Sequence, residues 1–287
     1  MFKRKKLESI DSSTVTLVGS NIIFIWGIIL GIMTFIYSII NGNLSFLSLT
    51  ILFSIAFGSL LGAIVYYFIG TFLYNFLSKK ISVSFDLYDD GQVKKISILP
   101  VSAIITLINI VFVILTYPLL KLILEVILTD LSSLLSLTPT ISTIGQTIDI
   151  LTNPIIILIV IVLSFVLPFL GIFVYNLISK KIGGIILKLD GVKLDTSTNE
   201  VNNSVNYTNK VIYINPLKFG LISAISSIIP YIIVLIIVIF LFVSISYIIL
   251  IESIIGGFIG IFIFTTISAY IYNIIANKSN PIEVELK

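Results

Sequence analysis

The stretch YNFLSKKI, residues 74–81, returns as YNLISKKI at 175–182 and in altered form as YNIIANKS at 272–279. A tyrosine–asparagine–lysine phrase written three times marks a repeated unit, and finding such a period comes before any reading of the fold. Upstream of each tyrosine, small residues fall into register. Gly58 and Gly62 precede Tyr74 at the spacing that Gly256 and Gly260 keep before Tyr272, while Gly70 and Gly171 hold equivalent places before Tyr74 and Tyr175. Further upstream, ISILPVS (96–102) resembles IYINPLK (212–218), with Pro100 and Pro216 each opening an apolar helix. The first copy has SIDSSTV (9–15) there. Proline suits a first helical turn, where its missing N–H would have no partner, and Ser or Asp caps the same end with a side-chain oxygen.

Composition decides the medium. Of 287 residues, 57% are hydrophobic and 11% charged, against roughly 45–50% and about 25% in soluble domains. Long apolar runs at 15–40, 46–78, 154–179 and most of 216–276 match the length a helix needs to cross a bilayer. The start MFKRKK before an apolar run is read as a retained first span, because the run exceeds a signal core and lacks a small-x-small cleavage pattern. The expected fold is an all-α polytopic membrane protein of six transmembrane helices. They form three repeated helical hairpins, repeat one 6–87, repeat two 93–189 and repeat three 210–287, within a single membrane domain 1–287.

Period-two alternation supplies short strands beside the helices. ISVSFDL (81–87) and VKKISIL (93–99) flank YDDGQ as a hairpin, and IILKL (185–189) and KVIYI (210–214) form a second pair across a polar loop. The closing IEVELK (282–287) has no successor. Its glutamates could face the basic strand around Lys5 and Lys6, closing the three repeats into a ring. A tight turn is expected at NGN (41–43) and a third turn within 244–253. Between them lies a long outer segment, 120–153, where Lys121 and Glu125 at helical spacing suggest an amphipathic surface helix.

Six spans return both termini and both linkers to one side. All but Lys121 of the 17 Lys and Arg residues fall there, so the positive-inside rule makes that side cytoplasmic, with the strands as a small cytoplasmic cap on a multi-pass cell-membrane protein. Tyr74, Tyr175 and Tyr272 then read as interfacial anchors at the ends of descending helices. Asn75, Asn176 and Asn273 call for hydrogen-bonding partners on other helices.

The Pro-x-Ser opening, the Gly-x-x-x-Tyr-Asn ending, then Gly-Gly and an alternating strand resemble an uncharacterised two-span transmembrane domain family best known from actinobacterial membrane proteins. The middle repeat carries the resemblance through Pro100, Ser102, Gly171, Tyr175, Asn176, Gly183 and Gly184. The third keeps Pro216, Tyr272 and Asn273, and the first keeps Gly70, Tyr74 and Asn75. The resemblance implies a membrane location and no activity. If single-copy relatives oligomerise, this chain is an internal pseudo-trimer, as a monomer or within a higher homo-oligomer.

Chemistry is sparse. With no cysteine and no histidine, thiolate chemistry, imidazole ligands and His-dependent triads are excluded. No acid pair, Ser/Lys dyad or metal-ligand cluster has a recognisable spacing, so the expectation is a non-enzymatic protein without cofactor, metal or nucleic-acid partner. Gly58/Gly62 and Gly256/Gly260 read as close helix-packing pairs, and Gly183-Gly184 as a stop between helix and strand. Lys3, Arg4, Lys5, Lys6, Lys79, Lys80, Lys180 and Lys181 are the candidate contacts for anionic lipid. Structural or scaffolding work, contacting membrane lipid or a protein partner through the cap, is the leading function. A small channel or transporter for an uncharged or lipid-like solute is the alternative, since the spans are nearly free of ionisable groups, Glu252 at an outer turn excepted.

Overall fold

The structure, a computed structural model, describes residues 2–40, 46–134, 148–149, 152–191, 209–242, 247–278 and 281–287. Strands and helices alternate in a fixed pattern. β1 (Phe2–Ile10) leads into α1 (Ser12–Ile40), α2 (Phe46–Ser78) returns to β2 (Val83–Tyr88), and β3 (Gln92–Ile96) leads into α3 (Ile98–Leu134). α4 (Pro154–Ile182) returns to β4 (Ile185–Gly191), β5 (Asn209–Ile214) leads into α5 (Pro216–Phe242), and α6 (Tyr247–Lys278) returns to β6 (Ile282–Leu286).

All six helices are long and apolar enough to cross a membrane. Their flanks carry fully presented apolar side chains, among them Leu61, Phe72, Ile114 and Ile155, each more than 60% exposed. Such a surface is stable against hydrocarbon and not against water. The Lys121–Glu125 pair, expected on a separate surface helix, lies on the continuation of α3. Glu252, expected at a turn, is exposed in the second turn of α6. The NGN turn, the centre of the long outer segment and the polar loop 192–208 fall outside the described residues.

The strands close completely. The expected cap is an antiparallel barrel in the order β1-β2-β3-β4-β5-β6, sealed by β1 against β6. Partners across an antiparallel ladder share a face, and the register gathers the apolar side chains on one face, where Lys3 and Lys5 join them opposite Leu87 and Phe85. One face carries Leu7 with Val83, Phe85 with Ile96, Leu87 with Val93, Val93 with Ile185, Leu187 with Ile214, and Val211 with Ile282. Val83, Val93 and Val284 on this face are buried, so the barrel closes around it. The other face alternates charge: Arg4 and Lys95 flank Asp86, and Lys210 lies between Asp190 and Glu283. Closure occurs as the IEVELK reading expected, but the charges pair otherwise. Glu283 takes Lys210 at 2.7 Å, Glu285 accepts from the Ser9 hydroxyl, and Lys6 and Lys287 approach Glu8.

The described residues form two compact units. One comprises residues 1–18, 71–105 and 165–287, and includes the barrel; the other comprises 19–70 and 106–164. In the second unit, Gly27 and Gly31 of α1 are where α2 approaches. A Cβ at Gly27 would meet Ser59 and Ala56, and one at Gly31 would meet Leu52. Tyr66 stacks on Phe112, with centroids 4.9 Å apart, to bring α2 against α3. In the first unit, α5 and α6 pack through Gly220 against Thr266 and Gly257 against Tyr231. Gly58, Gly62, Gly256 and Gly260, read from sequence as packing pairs, have nothing within 4 Å of a built Cβ. A glycine pattern shows that a close approach is sterically allowed but not which face of the helix has a neighbour. Here the neighbour is on the other side.

Gly183 and Gly184 do form the expected stop. Gly183 has φ +86°, directly after α4, a conformation that favours glycine at a helix end. Gly184 lies against the Val93 carbonyl and the Lys94 amide of β3, where a Cβ has no room. Gly184→Ala is therefore expected to cost about 1–3 kcal/mol of stability as forced overpacking, measured by thermal unfolding in detergent, while Gly58→Ala leaves the transition in place.

Candidate functional site

The repeated phrase is built to grip a strand. β2 begins at Val83 opposite Leu7, β4 at Ile185 opposite Val93, and β6 at Ile282 opposite Val211. Beyond those pairs, β1, β3 and β5 continue to Ile10, Ile96 and Ile214 with no strand beside them on that edge. Buried backbone N–H and C=O groups must find partners. They find them on the last turns of the returning helix.

At Ile10, the N–H donates to Asn75 Oδ1 at 2.8 Å and the carbonyl accepts from Asn75 Nδ2 at 2.7 Å. Asn176 makes the same pair with Ile96, both at 2.8 Å. Asn273 makes it with Ile214, at 2.9 and 2.8 Å. A carboxamide is suited to this because it presents one acceptor and two donors in a planar fork, and so meets both groups of one residue. The partner expected on another helix is instead the backbone of the strand that opens the same hairpin.

The tyrosines extend the grip. Tyr74 Oη donates to the Leu7 carbonyl at 3.0 Å, and Tyr175 and Tyr272 donate to the carbonyls of Val93 and Val211. Tyr175 and Tyr272 are buried within the protein, where their hydroxyls serve the barrel; the sequence suggests headgroup anchors at these positions. Each of these strands also bulges on its other edge at the next residue. The register shifts leave Glu8, Lys94 and Ile212 as the extra residues against β6, β2 and β4. A bulge leaves ladder groups unpaired. Ser78 donates to the Glu8 carbonyl at 2.6 Å, and Ser179 donates to that of Lys94. The third occurrence of the phrase has Ala276 at this place and offers no hydroxyl.

Directly after each gripped isoleucine stands a helix cap: Asp11, Ser97 and Asn215. Asp11 accepts from the Thr14 amide at 3.0 Å and the Ser13 hydroxyl at 2.6 Å, and Asn215 Oδ1 accepts from the Lys218 amide at 3.0 Å. These contacts align Ile10, Ile96 and Ile214. Pro100 and Pro216, matched from sequence, are therefore two positions out of register. The hydrogen-bonded isoleucine, and not the proline, is the equivalent residue.

The basic candidates are dispersed around the barrel end of the helices. Lys3, Arg4, Lys5 and Lys6 lie in β1, and Arg4 donates to Ser84 Oγ at 3.1 Å through Nη2. Lys79 and Lys80 are exposed after α2, with Lys80 Nζ 5.8 Å from the centre of the Phe76 ring, and Lys180 and Lys181 are exposed in the last turn of α4.

Asn176→Ala leaves the N–H and carbonyl of Ile96 without partners. At about 1–3 kcal/mol per unsatisfied group, it should destabilise the protein far more than Lys180→Ala. Conversely, Ala276→Ser supplies the missing hydroxyl and should stabilise by about 0.5–1.5 kcal/mol; thermal unfolding in detergent reads both. Burial raises the pKa of the Asp11 carboxyl, but hydrogen bonds from Ser13 and Thr14 outweigh it and hold the group below its ordinary value of 3.8. Its contribution is thus complete above that ordinary value and lost as pH falls through the lower folded one. Melting curves in acid should show this loss, flattened in Asp11→Asn, which keeps the cap.

No protein-family model, no curated protein and no solved structure matches this chain.

Proposed function

We propose that the protein is a non-enzymatic membrane scaffold in which one helical hairpin, copied three times, is stapled to a closed β-barrel presented at the cytoplasmic face. The carrying observation is the grip itself. Three asparagines and three tyrosines make the same bonds to three strands at the same offsets. The equivalence supports triplication and an internal pseudo-trimer, and with them membership of the two-span family the motifs resemble.

The chemistry invested at the membrane surface goes into fixing backbone, which suits a platform. The exposed lysines that flank the barrel, Lys79, Lys80, Lys180 and Lys181, beside the ends of apolar helices, suit contact with anionic headgroups or with a protein partner. The same asymmetry supports a cytoplasmic placement for the barrel and both termini.

A cysteine placed in the β2–β3 turn by Asp89→Cys tests the placement. It should stay unreactive to a membrane-impermeant thiol reagent in intact cells and react after lysis; labelling in intact cells overturns the orientation. Leakage of small uncharged solutes from vesicles reconstituted with the purified protein would overturn the scaffold reading in favour of a channel.

A further inference from the structure

The three helix entries form one notch in three chemical versions. At each, the capping residue donates its N–H to a carbonyl of the adjoining strand: Asp11 to Glu283 at 2.9 Å, Ser97 to Ser84 at 2.9 Å, and Asn215 to Ile186 at 3.0 Å. These contacts make Glu283, Ser84 and Ile186 equivalent. The first notch therefore holds two carboxylates, one of them bound to Lys210. The third pairs a carboxamide with an aliphatic side chain.

The second notch differs from both. It is a recess of about 500 Å³ lined by Arg4, Lys6, Lys287, Ser82, Ser84 and Ser97, with no carboxylate among its lining residues. Arg4 stands opposite Asp86 in the ladder yet directs its guanidinium to Ser84, with Nη2 at 3.1 Å and Nε at 3.4 Å. Glu8, 3.5 Å from Lys6 and 3.7 Å from Lys287, belongs to the neighbouring recess on the α2 side. Ser97 opens the long helix α3, whose N-terminal end carries partial positive charge. Just inside the helix, Leu99 is 62% exposed. Cations, hydroxyls and a helix start thus converge beside an apolar surface at the point where the chain enters the bilayer. A uniform orientation signal would not discriminate among three equivalent notches, and this arrangement does.

We propose that the notch between β1, β2 and the start of α3 holds the phosphodiester of an anionic glycerophospholipid. Arg4 supplies the planar fork that matches phosphate oxygens. Lys6 and Lys287 supply further charge, Ser82 and Ser84 supply hydroxyl donors, and an acyl chain lies along Leu99. The proposal rests on the scaffold reading for its membrane-facing cap and deepens it by naming the ligand class and the site.

The test is native mass spectrometry of the full chain released from nanodiscs containing phosphatidylglycerol and phosphatidylcholine. The protein should retain phosphatidylglycerol selectively. Removing two cations by Arg4→Gln with Lys6→Gln should cut that retention about tenfold or more, and Arg4→Lys with Lys6→Arg should largely restore it. Lys79→Gln with Lys80→Gln, which removes equal charge nearby, should fall well short of that loss. Ser82→Glu adds a carboxylate at an exposed position outside the strands and should reproduce the loss without lowering the thermal transition, separating ligand binding from folding. Equal losses in the two double variants would overturn the site in favour of diffuse charge, and unchanged retention in Arg4→Gln with Lys6→Gln would overturn it outright. Displacement of the lipid by soluble glycerol phosphate would overturn the lipid assignment in favour of a free phosphate. Selective retention together with Asp89→Cys labelling in intact cells would sink the cytoplasmic placement and leave the notch standing.

Discussion

A strand that outlasts its neighbour leaves backbone groups to be satisfied, and this constraint fixes how each hairpin meets the barrel. On one edge of β1, β3 and β5 the ladder stops three residues before the strand does. The last turns of the returning helix take over the missing strand's role with side chains, tyrosine first and asparagine last. Because the gripped isoleucine immediately precedes the helix cap, one contact sets where the chain enters the hairpin and where it leaves. An asparagine is hard to replace here. Aspartate lacks the donor, leucine lacks both functions, and glutamine would need a different reach.

The gross organisation could be read from sequence because it depends on periodicity. Apolar runs of bilayer length gave the six helices, alternation gave strands close to those observed, and a final IEVELK without a successor pointed to closure. What escaped was contact information. Asn75, Asn176 and Asn273 bond residues 65, 80 and 59 positions away, and nothing in the local pattern names such a partner. The bulges were hidden because Leu7-Glu8-Ser9-Ile10 and Val93-Lys94-Lys95-Ile96 read as ordinary irregular alternation. Gly27 and Gly31 have the same spacing as Gly58 and Gly62 but no echo in another copy, so attention to the repeat favoured the wrong pair.

Below the common frame, the three hairpins differ in polarity and detail. The third lacks the serine that meets a bulge carbonyl, and only the second has the Gly-Gly stop that lets β4 lie against β3. The notches beside Asp11, Ser97 and Asn215 keep their backbone bond and change everything around it. Shared geometry with unshared side chains is the pattern expected when architecture is held by main-chain contacts and individual faces are free to specialise.

Closing a barrel with its first and last strands also has a consequence in time. During synthesis β1 can meet β2 once residue 88 has been made, but its opposite edge waits until residues 282–286 emerge. Through that interval a nascent chain would expose an open strand edge, a template for pairing with a neighbouring copy. The run Lys3-Arg4-Lys5-Lys6 lies on the same strand, directly before the Leu7–Ile10 segment that β6 covers, and clustered positive charge is a recognised means of keeping an unpaired edge from recruiting the wrong strand. Positive charge beside that open edge would disfavour such pairing until β6 arrives.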